Sequence, residues 1–233
     1  MFFPLFFGGQ YYLIILAGVV LGVLTQSYVN RSYRRWSQVP LDTGRSGAEV
    51  ARAMLNDAGL NDVGIEMIGG NLSDHYDPRA RVLRLSQNVF NGRSVAAAGV
   101  ASHEAGHAVQ HARAFAFAAV RQALVPVANI GSQAAFPLIF LGILLRAGSA
   151  SALLVQLGVI AFGLAVLFQI VTLPVEFDAS RRALASLGST GMLSDEQVGG
   201  ARQVLTAAAL TYVAATLVAV LQLLYFLGLA RRR

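Results

Sequence analysis

The run His103-Glu104-Ala105-Gly106-His107 is the part of this sequence best equipped for chemistry. The chain has only four histidines, and three of them fall between positions 103 and 111. Two histidines four residues apart on a helix project from one face, a turn apart, so both imidazoles reach the same ion. Cysteine is absent, so any metal must be held by His, Asp or Glu. Zn²⁺, one per chain, is the default ion for such a donor set. Glu104 lies near the same face as His107 and can reach a water at the metal. There it would act as general base as that water attacks a peptide carbonyl. Zinc brings the pKa of such a water to about 7. Ala105 and Gly106 leave room for packing and are not required by the chemistry.

Two histidines make half of a site. His111 continues the series, but it lies about 12 Å from His103 along a straight helix, too far to share one ion with both partners. It reads as a surface residue or a support behind the ligands. The segment TLPVEFDASRRALASLG offers Glu176 and Asp178. Pro174 is expected to open a new helix with Glu176 in its first turn. Glu176 is the favoured third ligand, completing two histidines and a glutamate with water in the open position. Asp178, two residues on, should face elsewhere; it and His111 are the fallback ligands. A carboxylate in a first helical turn is also favoured by the helix dipole alone.

The elements that must position these groups are partly readable. Residues 46–60 (SGAEVARAMLNDAGL) predict an amphipathic helix with Ser46 as N-cap, Glu49 three residues on and Gly59 near the end. Residues 63–68 and 82–85 predict short strands, with the turn-rich GGNLSDHYDPR between them. The alternating ARVLRL is expected to be an edge strand, able to pair with an extended peptide. Ser94 predicts the cap of the helix that carries the histidines.

The rest of the chain is membrane-like. Of its 233 residues, 55% are hydrophobic, more than an ordinary soluble domain carries. Four stretches approach the twenty apolar residues of a spanning helix: 11–29, 125–145, 152–173 and 205–229. The second is diluted by Asn129, Ser132, Gln133 and Pro137, which are expected to face other helices rather than lipid. The first follows MFFPLFF and reads as a retained anchor rather than a cleaved signal, with Gly18 and Gly22 as a helix-contact pair. The net charge of +6 comes from 18 arginines, with no lysine. They flank the spans and form no basic patch with interleaved aromatics, so nucleic-acid binding is excluded as the reading. A metal transporter would need ionisable groups within the spans, and these carry almost none.

Four crossings return the chain so that 31–124 and 174–204 share one side. That side carries Arg31, Arg34, Arg35, Arg121, Arg181, Arg182 and Arg202 near span ends; the other carries Arg146 and Arg231–Arg233. The bias marks the first side as cytoplasmic.

HEAGHAVQ, LSDHYDP, LPVEFDASRRAL and AAALTYVAATL together resemble the bacterial membrane zinc metallopeptidases of the YugP type, over about residues 44–224. A more distant resemblance is to membrane gluzincins of the HtpX and CAAX-protease type. Their third-ligand pattern is Glu-Phe/Tyr-x-Ala-Asp; Glu176-Phe177-Asp178-Ala179 matches, and Ser180 stands where that pattern has Asp. The missing Asp steadies a ligand histidine, so Ser180, Asp178 or Asp74 takes that part here. Gluzincins also use a donor to the oxyanion; His75, Tyr76, Arg181, Arg182 and Tyr212 are the candidates.

The expected architecture is thus a mainly α, integral membrane protein: about four transmembrane helices plus a small α+β gluzincin-like metallopeptidase region on the cytoplasmic side. The divisions are an anchor (1–30), the HExxH region (31–124), a helix pair (125–173), the third-ligand region (174–204), and a last helix with its Arg tail (205–233). The expected function is a multi-pass zinc endopeptidase of the bacterial inner membrane, with protein or peptide substrates, lipid contact and no nucleic acid. The alternative is a catalytically silent, zinc-stabilised scaffold, which would have no use for Glu104.

Overall fold

The computed structural model describes residues 8–71, 73–145 and 148–231. MFFPLFF, Leu72, Arg146 and the last two arginines, which entered the sequence reading, lie outside the described residues. The protein is mainly helical, with seven described helices and one three-stranded sheet. Four helices are long and apolar enough to cross a membrane: α1 (Gly9–Ser37), α5 (Ala116–Leu144), α6 (Ser149–Ser189) and α7 (Asp195–Ala230). Between α1 and α5 come α2 (Gly47–Asp57), β1 (Gly64–Ile68), β2 (His75–Asp77), β3 (Val82–Ser86), α3 (Gln87–Phe90) and α4 (Val95–Ala112).

The chain forms two compact units. The first comprises, of the described residues, 8–24, 120–145, 148–173 and 211–231, and its described elements are all helices. Ile139, Val155, Phe162 and Phe226 are in its core. Its helices approach through small residues: a Cβ on Gly131 would stand 2.6 Å from the Ala161 carbonyl, and one on Gly158 2.9 Å from that of Ala135. This packing corrects the expectation for α5. Asn129, Ser132, Gln133 and Pro137 are exposed, and the buried stripe is Ala128, Gly131, Ala135, Ile139 and Gly142. Close approach selects the small residues for the contact face, and Ser132 Oγ satisfies itself on the carbonyl of Asn129. Gly18 meets Val218 of α7, whereas Gly22 faces open space.

The second unit, residues 25–119 and 174–210, holds the sheet, α2, α3 and α4, with parts of α1, α6 and α7. Helix α2 starts at the predicted capping box: Glu49 N–H donates to Ser46 Oγ at 3.3 Å, and Ser46 N–H donates to the Glu49 carboxylate at 2.6 Å. It buries Val50, Met54 and Leu55 and is followed by Gly59 at φ +75°. Helix α4 is capped by Ser94, whose Oγ accepts from Ala97 N–H. Most of its faces are buried, because it is built of alanine and glycine. A Cβ on Gly47 of α2 would collide with the carbonyl of Val89, and one on Gly106 of α4 would stand 2.6 Å from that of Ala179 in α6.

The sheet order is β1-β3-β2, with β1 parallel and β2 antiparallel to β3. The segment ARVLRL is therefore the central strand and not an edge. The edges are β1 and β2, and β2 arises from the segment read as a turn. Its polar residues build a hairpin: Asp77 Oδ1 accepts from the N–H groups of Arg79 and Ala80, and Arg84 pairs with Asp77 across the strands at 2.5 Å. Asp74 accepts from both the N–H and the hydroxyl of Ser86. With both sides of β3 paired, Leu83 and Leu85 are fully buried.

Pro174 does not open a helix. It lies inside α6, which runs unbroken from Ser149 to Ser189. Proline removes one backbone donor and strains one turn, and the apolar helix continues through it. Glu176 is thus mid-helix, and the dipole of a first turn has no part in its position.

Candidate metal centre

Helix α4 presents His103 and His107 a turn apart, with ring centroids 4.7 Å apart and planes at 83°. Against them α6 brings Glu176, only 4% exposed. Its Oε2 lies 3.2 Å from Nε2 of His103 and 3.8 Å from Nε2 of His107. One donor atom from each of the three residues lies within 4.8 Å of the others. Donors about 2.0–2.1 Å from a tetrahedral zinc stand roughly 3.3 Å from one another, so these separations fit a single ion held by all three residues. Gly106 allows this meeting: without a side chain, α4 lies against the Ala179 backbone, one turn from Glu176.

The electrostatics favour a cation. Burial disfavours a charged His107, yet Glu176, Glu104 and the Gln110 carbonyl outweigh it and raise the pKa of its imidazole. Surroundings that favour a proton on this imidazole also favour a divalent ion beside it. Both imidazoles are steadied from behind through Nδ1: His103 by Ser180 Oγ at 3.1 Å and His107 by Gln110 Oε1 at 3.0 Å. Support of this kind orients a histidine ligand and leaves Nε2 for the metal.

Glu104 is buried at 9% exposure, and no donor among the described residues reaches its carboxylate. Asp178 is also buried and does not turn to the imidazoles. It accepts from Gln110 Nε2 at 2.9 Å, from Arg182 at 2.6 Å and from Arg181. Both arginines are thereby engaged, and Arg182 also lies over the ring of Phe115. Asp74 serves Ser86 and not His103 or His107. His75 is exposed, with Nδ1 on the carbonyl of Ser73. Strand alternation turns its neighbour Tyr76 the other way, and the Tyr76 hydroxyl meets Nδ1 of His111 at 2.9 Å. His111 is thus engaged with a strand and not with the other histidines. Tyr212 lies on α7 in the helical unit, partly exposed.

Gln110 was missed in the sequence. A glutamine three residues after His107 shares its helical face, and that spacing was the available signal.

A helical, membrane-type chain in which α4 and α6 bring His103, His107 and Glu176 together is of the kind expected of a membrane metallopeptidase, and the sequence comparisons agree with that class. Residues 11–231 match the family described as "Putative neutral zinc metallopeptidase", and the chain belongs to that family. It is 46% identical over 213 residues to the "Putative membrane protease YugP" of Bacillus subtilis (strain 168), covering 91% of this chain and 93% of that protein. No solved structure matches the chain.

Proposed function

We propose that this chain is a membrane-embedded, zinc-dependent endopeptidase of gluzincin type. The observation that carries the reading is the convergence of the Nε2 atoms of His103 and His107 on one buried oxygen of Glu176. A buried carboxylate facing two imidazoles has little purpose except to hold a cation. His103, His107 and Glu176 would hold the zinc, and the 31–124 and 174–204 segments together form the peptidase region. When bound, zinc supplies Lewis acidity to a substrate carbonyl and acidifies water.

The residues of the chain do the rest. Glu104, whose carboxylate meets no donor among the described residues, takes the proton of the attacking water and returns it to the leaving amine. Its burial keeps bulk water from competing for that proton. Ser180 and Gln110 hold the two imidazoles in orientation. The excess of Arg on the side shared by these segments favours a cytoplasmic active site in the inner membrane. Substrates are protein or peptide segments close to the bilayer.

The test uses purified full-length protein with zinc measured directly and casein as substrate. Glu104→Gln should keep its zinc and lose hydrolysis; cleavage at the wild-type rate sinks the mechanism. Glu176→Gln should lower zinc affinity by roughly tenfold or more, at least the loss expected from removing a group behind a ligand. Unchanged zinc would remove Glu176 from the ligand set.

A further inference from the structure

Gln110 is 1% exposed, and its amide makes three hydrogen bonds. Oε1 lies 3.0 Å from Nδ1 of His107, while Nε2 donates to the Val175 carbonyl at 2.8 Å and to Asp178 Oδ2 at 2.9 Å. Both partners of Nε2 are pure acceptors, a backbone carbonyl and a carboxylate. The NH₂ group must therefore lie on their side and the amide oxygen must face His107; the flipped amide would set oxygen against oxygen twice. An amide oxygen only accepts, so Nδ1 of His107 must carry the proton, and the bare nitrogen is Nε2, the one turned to Glu176. Ser180 imposes no such choice on His103, because a hydroxyl either donates or accepts. Asp178 is fixed in turn by Arg181 and Arg182.

From this network we infer that Gln110, anchored by Asp178 and Arg182, is a positioning residue that locks His107 in the Nδ1-protonated tautomer and so offers Nε2 as a ready metal ligand. The inference rests on the reading of His103, His107 and Glu176 as a metal site. It gives a role to Asp178, which is buried near the site without being turned to the histidines. It also gives a reason for a glutamine rather than an apolar residue at a fully enclosed position of α4.

The test reads the tautomer directly. The full-length protein in detergent is labelled with ¹⁵N-histidine, freed of zinc with a chelator and held at alkaline pH. With four histidines in the chain, each ring is assigned by single substitution. Wild-type His107 should show a proton on Nδ1 and a bare Nε2. Gln110→Met keeps the side-chain length and removes the acceptor. It should lose the Nδ1–H preference and bind zinc roughly ten- to a hundredfold more weakly. Gln110→Glu keeps an acceptor facing Nδ1 and should retain the tautomer even though both donor bonds are gone.

A glutamine that only ties α4 to α6 predicts otherwise: Gln110→Met lowers thermal stability, and tautomer and zinc affinity do not change. That result overturns the inference. So does an Nε2–H His107 in the wild-type protein, a measurement that does not depend on either Gln110 variant folding. A wild-type protein with the expected tautomer that takes up no zinc in equilibrium dialysis overturns the metal-site reading instead and leaves the hydrogen-bonded tautomer standing.

Discussion

Position 180 distinguishes this chain from the gluzincin pattern it resembles. Ser180 occupies the place of an aspartate and still reaches Nδ1 of His103 at 3.1 Å, as a neutral partner. His103 and His107 are therefore both backed by uncharged groups, a hydroxyl and an amide oxygen. The negative charge of Asp178 stands one step further back, balanced by two arginines. Ser180→Ala removes the group behind His103 without touching a ligand and should weaken zinc binding by roughly ten- to a hundredfold. Chelator competition measures it, and unchanged affinity would mean that His103 is oriented by packing alone.

The meeting of α4 and α6 depends on an absent side chain. A Cβ on Gly106 would stand 2.6 Å from the Ala179 carbonyl, a backbone atom that cannot rotate away. Gly106→Ala should separate the helices that carry the two halves of the site. The expected cost is about 1–3 kcal/mol of stability, as for other overpacked contacts, together with a loss of zinc affinity. Gly199→Ala is the matching control: it lies in α7, exposed and with nothing within 4 Å of the added carbon. It should stabilise by about 0.5–1 kcal/mol through helix propensity. Thermal unfolding of the two variants compares them, and equal effects would refute the packing argument. Strand β2 has its own control in Asp77. The hydrogen bond from Arg84, then those from the turn N–H groups, hold its pKa down to about 2 from 3.8. A lowered pKa means that the contribution is complete above 3.8 and is lost as pH falls toward 2. The stability difference between wild type and Asp77→Asn should shrink across that window. A difference that grows on acidification would have the wrong sign.

For the molecule as a whole, the decisive expectation is the number of crossings. Four crossings would put residues 31–124 and 174–204 on one side, and the sequence has no cysteine to confuse labelling. Ala80→Cys and Ser189→Cys should react with a membrane-impermeant thiol reagent from the same face of an oriented vesicle, and Ser149→Cys from the opposite face. Labelling of the first two from different faces would rule out any site that joins Glu176 to His103 and His107.

The sequence by itself determined much of this protein, because much of it is local. Apolar length declares the spanning helices, a Ser-x-x-Glu box starts α2, and an i, i+4 spacing puts two imidazoles on one face, each without reference to distant residues. The segment TLPVEFDASRRALASLG offered Glu176 as the favoured partner. What only the tertiary structure decided is non-local. Strand order came from pairing, so ARVLRL became the centre of the sheet and His75–Asp77 its edge. Pro174 was absorbed because a helix already long and apolar tolerates one lost hydrogen bond. The polar residues of α5 gave up the contact face to glycine and alanine because close approach is steric. The role of Gln110 appeared only when α6 supplied a carbonyl and a carboxylate to fix which way its amide points; no spacing along the chain states what lies across from it.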